Sequence, residues 1–168
     1  MKQDKQNTRT ANPFPPVFDD KARLLILGSL PSEASRAAGF YYMNPRNRFW
    51  QVMSALLGED FTAMKKEDKI AALKKHGIAL SDVIDSCTIH RSSDASIKEV
   101  VRNEDITTIF ESADIKKVLL NGGKAYSLFL KYFPEHAAFA VPMPSTSPAN
   151  ARCSLSDLLD AWGKEIDM

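Results

Sequence analysis

Apolar runs alternate with amphipathic stretches along this chain, and their order predicts strands alternating with helices. Arg23 to Gly28 carries an unbroken apolar stretch, the pattern of a strand covered on both faces. From Asn47 to Leu57 the apolar residues Phe49, Trp50, Met53, Leu56 and Leu57 recur at helical spacing, and Gly58 supplies a stop. Lys65 to His76 predicts a second, lysine-rich amphipathic helix ended by Gly77. Ile78 to Ile84 reads as a second strand, followed by a polar loop from Asp85 to Ser96. The apolar and charged residues from Ile97 to Ser112 predict one outer helix. Lys117 to Leu120 is a third strand, and Asn121-Gly122-Gly123 turns it into a helix from Lys124 to Phe133. Ala137 to Met143 is a fourth strand, and a closing helix from Ser154 to Trp162 carries a capping signal in Ser154 and Asp157.

This alternation predicts a three-layer α/β/α sandwich on a central four-stranded parallel sheet. Residues 1–12 are polar and expected to be a flexible tail, and residues 13–168 a single domain. In such sheets ligands bind beyond the carboxyl ends of the strands. The loops to watch are therefore Ser29 to Asn47, Asp85 to Ser96, Asn121 to Gly123 and Ser145 to Asn150.

Composition narrows the function only a little. A net charge of +1 gives no global mark of a polyanion binder, so nucleic-acid binding requires a local patch, for which Arg46, Arg48, Arg91 and Arg152 are candidates. Exposed arginines are more often simply solvated. Cys87 and Cys153 lack metal-ligand spacing, and reduced thiols in a cytoplasmic setting are the expectation. His76, His90 and His136 have no partner at metal spacing, so neither a metal nor another cofactor is expected. No stretch is long and apolar enough for a membrane helix, and the amino terminus lacks a secretory pattern. No membrane partner is expected.

The stretch GSLPSEASRAAGFYYMNPRNRFW, from Gly28 to Trp50, concentrates the candidate chemistry. The hydroxyls and amides of Ser29, Ser32, Ser145, Thr146 and Ser147 suit a DNA phosphate, although serine-proline loops are also ordinary turns. Tyr41, Tyr42 and Phe49 are candidates to stack on an extruded base, while Trp50 reads as core. Asn44 and Asn47 each offer a donor and an acceptor, able to read a base edge or hold a water, and Asn47 is equally a candidate helix cap. Asp82 and Asp85 flank the end of the second strand, and Asp85 or Asp94 is a candidate to sit near the pocket; no carboxylate lies in the first motif, Gly28 to Ser32, so acid-base chemistry by a paired Asp or Glu is not expected. Gly122-Gly123-Lys124 lacks the spacing of a phosphate-binding P-loop, and Asn121 is expected to end its strand facing the pocket.

GSLPSEAS followed by YYMNPRNRFW, with SDVIDSC and the late PSTSPAN, resembles the uracil-DNA glycosylase superfamily, and most of all its hypoxanthine-DNA glycosylase branch. The resemblance runs from about Phe14 to Trp162. It implies the same three-layer fold. It also implies hydrolysis of the N-glycosidic bond of a deaminated base, leaving an abasic site, without metal or covalent lysine intermediate; the expected partner is double- or single-stranded DNA, and the expected state a monomer. Gly28 to Ser32 corresponds to the first motif, so Gly28 and Ser29 are implied to approach base and sugar and Ser32 the DNA. Uracil-directed relatives carry Asp or Asn in this loop, where this chain offers Ser29; that speaks against strong uracil activity and moves the catalytic role to Asn47 first and Asn44 second. Phe49 is implied to stack on the base, with Tyr42 beside it and Asn121 reading its edge. Met143 to Asn150 corresponds to the second motif, in which Ser145, Thr146, Ser147, Pro148 and Asn150, with Arg46, grip the DNA. Met143-Pro144 leaves no histidine for the departing base. The rivals are a uracil or mismatched-thymine glycosylase on this fold and a domain that binds nucleic acid without catalysis.

Overall fold

Residues that are apolar on both sides of a strand need cover on both faces, and the chain supplies it with helices from two directions. A computed structural model describes residues 7–90 and 98–166. Strand β1 (Asn7–Ala11) precedes β2 (Leu24–Gly28), which is followed by α1 (Glu33–Ala38) and α2 (Phe49–Leu57). Helix α3 (Lys66–Lys75) leads into β3 (Ile78–Asp82) and, past Val83, β4 (Ile84–His90). Then come β5 (Lys98–Arg102), α4 (Asp105–Ser112), β6 (Lys117–Asn121), α5 (Gly123–Tyr132), β7 (Ala140–Met143) and α6 (Leu155–Glu165).

Strands β3, β2, β6 and β7 pair in that order, all parallel. Because side chains alternate along a strand, Leu24 and Ile26 enter one core with Trp50, Leu73 and Trp162, while Leu25 and Leu27 enter another with Ile106, Ile109 and Phe129. Helices α2, α3 and α6 therefore cover one face and α4 and α5 the other. The expected sandwich and its four-stranded sheet are present. Among the described residues no helix is long and apolar enough to cross a membrane.

A second sheet was not expected. β1, β4 and β5 form an antiparallel sheet in the order β1-β4-β5. Residues 7–11 are thus a paired strand rather than a frayed tail, and residues 85–90 are strand rather than loop. The predicted helix from Ile97 to Ser112 resolves into β5 and the shorter α4, with Asn103 between them. Its charged and apolar alternation fits period 2 as well as a helix over so few residues, and Val100 and Val101 favour a strand once partners exist. Asn103 is buried; its amide nitrogen donates to Ser81 Oγ and to the Asp82 carbonyl, both at 3.0 Å, tying this sheet to the end of β3.

Register fixes where the site lies. Gly28 of β2 stands opposite Asp82 of β3, and Asn121 of β6 opposite Met143 of β7, so the strands end in one row. Each then releases a loop into the same space.

Candidate active site

That space is a cavity of about 820 Å³ at the carboxyl edge of the sheet, lined by Gly28, Ser29, Ser32, Tyr42, Asn44, Asn47, Asp82, Asn121, Ser145, Thr146 and Ser147 among others. Most of the expected site residues thus meet in one place. Arg46 and Pro148 are exposed nearby but outside the lining. Asn150 and Arg152 line an adjoining hollow of about 670 Å³ on the other side of the Ser145–Ser147 loop. Arg91 and Asp94 lie outside the described residues.

The amides are held in fixed orientations. The Thr146 N–H donates to Asn121 Oδ1 at 3.0 Å, so the Asn121 nitrogen must face, and donates to, Thr146 Oγ1 at 3.0 Å. The Thr146 hydroxyl then donates to Asn47 Oδ1 at 2.7 Å, and the Phe49 N–H reaches the same oxygen at 2.9 Å. Two donors occupy the two lone pairs of Asn47 Oδ1, and the amide nitrogen is left without a partner among the described residues. The N-cap of α2 is Arg48, not Asn47; Asn47 lies one residue earlier, tied to the first helical N–H through Oδ1 and lining the cavity. Asn44 serves its turn through Oδ1, which accepts from the Arg46 N–H at 3.0 Å.

Thr146 is fully buried at the centre of this chain of bonds. Thr146→Val keeps its shape and strands two buried polar partners, at about 1–3 kcal/mol. Because it acts through Asn47, steady-state kinetics should show kcat lowered roughly tenfold with KM little changed.

The aromatic surface at the cavity is that of Tyr42. Phe49 is fully buried beneath it, stacked with ring centroids 4.0 Å apart and wedged against Trp50 and Trp162. The helix starts at Phe49, after Arg48 as N-cap, and that start turns the Phe49 side chain inward. Tyr42 has φ of 55°, a costly conformation for a bulky residue, and its neighbour Met43 is tied by its N–H to Ser35 Oγ at 3.0 Å. Trp50 is core, as expected, and its indole nitrogen donates to the Tyr41 carbonyl at 3.1 Å.

Ser32 lines the cavity and also caps α1, accepting from the Ser35 N–H at 3.2 Å. Arg48, a candidate for phosphate, is instead a clamp: its guanidinium donates to the carbonyls of Cys153, Ser147 and Asn150. With Trp162 donating to the Pro144 carbonyl at 3.0 Å, it fixes the Ser145–Asn150 loop.

Asp82 is the residue that sequence reasoning passed over. It lies at the bottom of the cavity, 3% exposed, and desolvation pushes its carboxyl up to about 7, with the Gly28 amide and Asn12 pulling it partly back. Burial with Asp82 nearby also raises the hydroxyls of Tyr41 and Tyr42. A Cβ on Gly28 would fall 2.7 Å from Asp82 Oδ1 and 3.0 Å from the Tyr42 hydroxyl. Gly28→Ala should therefore destabilise the fold by about 1–3 kcal/mol, measured by urea unfolding. Among the described residues no cluster of His, Cys, Asp and Glu has the make-up of a metal site.

Residues 15–163 match the uracil DNA glycosylase superfamily. The chain belongs to the uracil DNA glycosylase superfamily. A hypoxanthine DNA glycosylase of Methanosarcina barkeri (strain Fusaro) is 32% identical, over 90% of this chain and 94% of that one. A hypoxanthine DNA glycosylase of Methanosarcina acetivorans is 35% identical over 84% and 89%. The solution NMR structure of a candidate uracil DNA glycosylase from Methanosarcina acetivorans superposes with a TM-score of 0.77, at 32% identity over 91% of this chain and 94% of that one. Against that background, this superfamily member brings amides and one buried carboxylate to its cavity.

Proposed function

We propose that the protein is a monofunctional DNA glycosylase that extrudes a deaminated base, hypoxanthine foremost, and hydrolyses its N-glycosidic bond. The observation that carries this reading is Asn47: with Oδ1 engaged twice, its amide nitrogen is the group available at the cavity. Such a donor matches charge that develops on a leaving base. The bond from C1′ to the base nitrogen breaks with its electron pair leaving on the base; water oxygen bonds to C1′, and the water's second proton is released. Tyr42, backed by Phe49, supplies the stacking face, and Asn121 offers its remaining donor to the base.

A deaminated base pairs poorly and costs less to extrude, which supplies part of the selectivity. Ser29, Ser32, Ser145, Ser147 and Asn150, with Arg46, hold the DNA backbone on the rim, and Asn44 stands second to Asn47. Single- and double-stranded DNA are both substrates of this reading, and the protein acts as a cytoplasmic monomer in base excision repair. The test is a panel of duplexes holding inosine, uracil, xanthine or mismatched thymine, with alkali-labile strand breaks as readout. Fastest cleavage at inosine supports the reading. Binding without breaks at any base contradicts it in favour of a non-catalytic domain.

A further inference from the structure

The deep end of the cavity holds an acceptor and a donor side by side. Asp82 Oδ1 and the Tyr42 hydroxyl both approach the position of a Cβ on Gly28, and the hydroxyl is a buried polar atom with no hydrogen-bond partner among the described residues. Asp82 Oδ2 accepts from the Asn12 amide nitrogen at 3.1 Å. Asn12 cannot turn over, because its own oxygen accepts from the Phe14 N–H at 3.2 Å and its backbone N–H is bound to the Asp85 carbonyl at 2.8 Å. Asn12 lies outside the stretch that matches the superfamily, which begins at residue 15.

Deamination changes the hydrogen-bonding edge of a base in one consistent way. Adenine and cytosine present a bare ring nitrogen beside an amino group; hypoxanthine and uracil present a ring N–H beside a carbonyl. We propose that Asn12 locks Asp82 as an acceptor, and that Asp82, with the Tyr42 hydroxyl as donor, reads this lactam edge of the extruded base. This rests on the glycosylase reading above. The carboxylate accepts the ring N–H and the phenol donates to the carbonyl; adenine and cytosine meet each partner with the wrong group. A ring N–H donated to Asp82 also favours its ionised, accepting form. Guanine and thymine carry the same edge but sit in stable pairs that cost more to open.

The lock makes an unusual demand on Asp82→Asn. With Asn12 able only to donate toward residue 82, the new amide must turn its oxygen to Asn12 and its nitrogen to the base, where donor meets donor. Single-turnover base release from an inosine duplex should then fall by at least about 10²-fold, as expected where a site loses a buried hydrogen-bond partner. Adding Asn12→Ala frees the amide to rotate, and the double variant should recover at least about tenfold over Asp82→Asn alone, a gain that damage to the fold cannot produce. Thermal unfolding of each variant accompanies the rates. Asp82→Asn with inosine turnover within about threefold of wild type overturns the proposal, as does a double variant no faster than the single one. Wild-type protein that releases no base from any duplex removes the glycosylase reading as well.

Discussion

Asn47→Ala is expected to slow base release from an inosine duplex by about 10²–10³-fold, the range found when one preorganised donor is taken from a developing anion. Duplex affinity should stay within about threefold, since the loop that faces the DNA backbone is held by Arg48 and Trp162 rather than by Asn47. The geometry divides the substitution's effects cleanly. Asn47 Oδ1 meets the Phe49 N–H and the Thr146 hydroxyl, so alanine also leaves both without that acceptor. A loss of about 1 kcal/mol of stability therefore accompanies the catalytic loss. Asn47→Asp separates the two: it keeps the acceptor and removes the donor, so turnover should fall while the bonds from Phe49 and Thr146 survive. Rates measured at saturating enzyme, beside anisotropy titrations of the same duplex, check both parts. Turnover retained by Asn47→Ala moves the role to another group.

Asp82→Asn is expected to stabilise the folded protein at alkaline pH. The carboxyl is held near about 7 in the fold against an ordinary value of 3.8, because burial opposes its charge. A group raised in this way contributes stability that is complete below about 3.8, declines as pH rises, and is lost above about 7. The shift corresponds to roughly 4 kcal/mol between the two limits. The neutral amide carries no such dependence, so at pH 8 the variant should melt on the order of 5–10 °C above wild type, with the gap closing toward pH 4. Thermal unfolding of both proteins across that range measures it. A variant less stable than wild type at pH 8 contradicts this description of Asp82. An ionisable group kept where it weakens the fold fits a role in binding rather than in packing.

The parallel sheet was legible because each of its strands is a short apolar run, a signal that belongs to the strand itself. The second sheet was not, since β4 acquires its strand character from β1, about eighty residues earlier in the chain (Asn7 opposite His90, Ala11 opposite Ser86). Helix α1 did leave a signal: Ser32 as cap, an alanine-rich turn and Gly39 in the left-handed conformation. Its residues had been absorbed into the motif loop. For the site, the stretch from Gly28 to Trp50 announced its amides and aromatics, but not which aromatic ring faces the cavity, because that depends on where α2 begins. Asp82 reads from sequence only as a residue near the end of the second strand, whereas β-sheet register sets it opposite Gly28. Arg48 reads from sequence as a free cation. Its carbonyl partners at Ser147, Asn150 and Cys153 come from a distant loop, and nothing local foretells them.

The proposed reaction releases a deaminated base by hydrolysis without a covalent intermediate, and the cavity rim carries one lysine, Lys124, that makes the second half testable. Wild-type protein is incubated with an inosine duplex with and without borohydride, and the products are resolved by mass spectrometry. Free hypoxanthine, an intact abasic strand and no protein–DNA adduct are expected. Absence of free hypoxanthine, or an adduct trapped by borohydride, would contradict the proposed reaction.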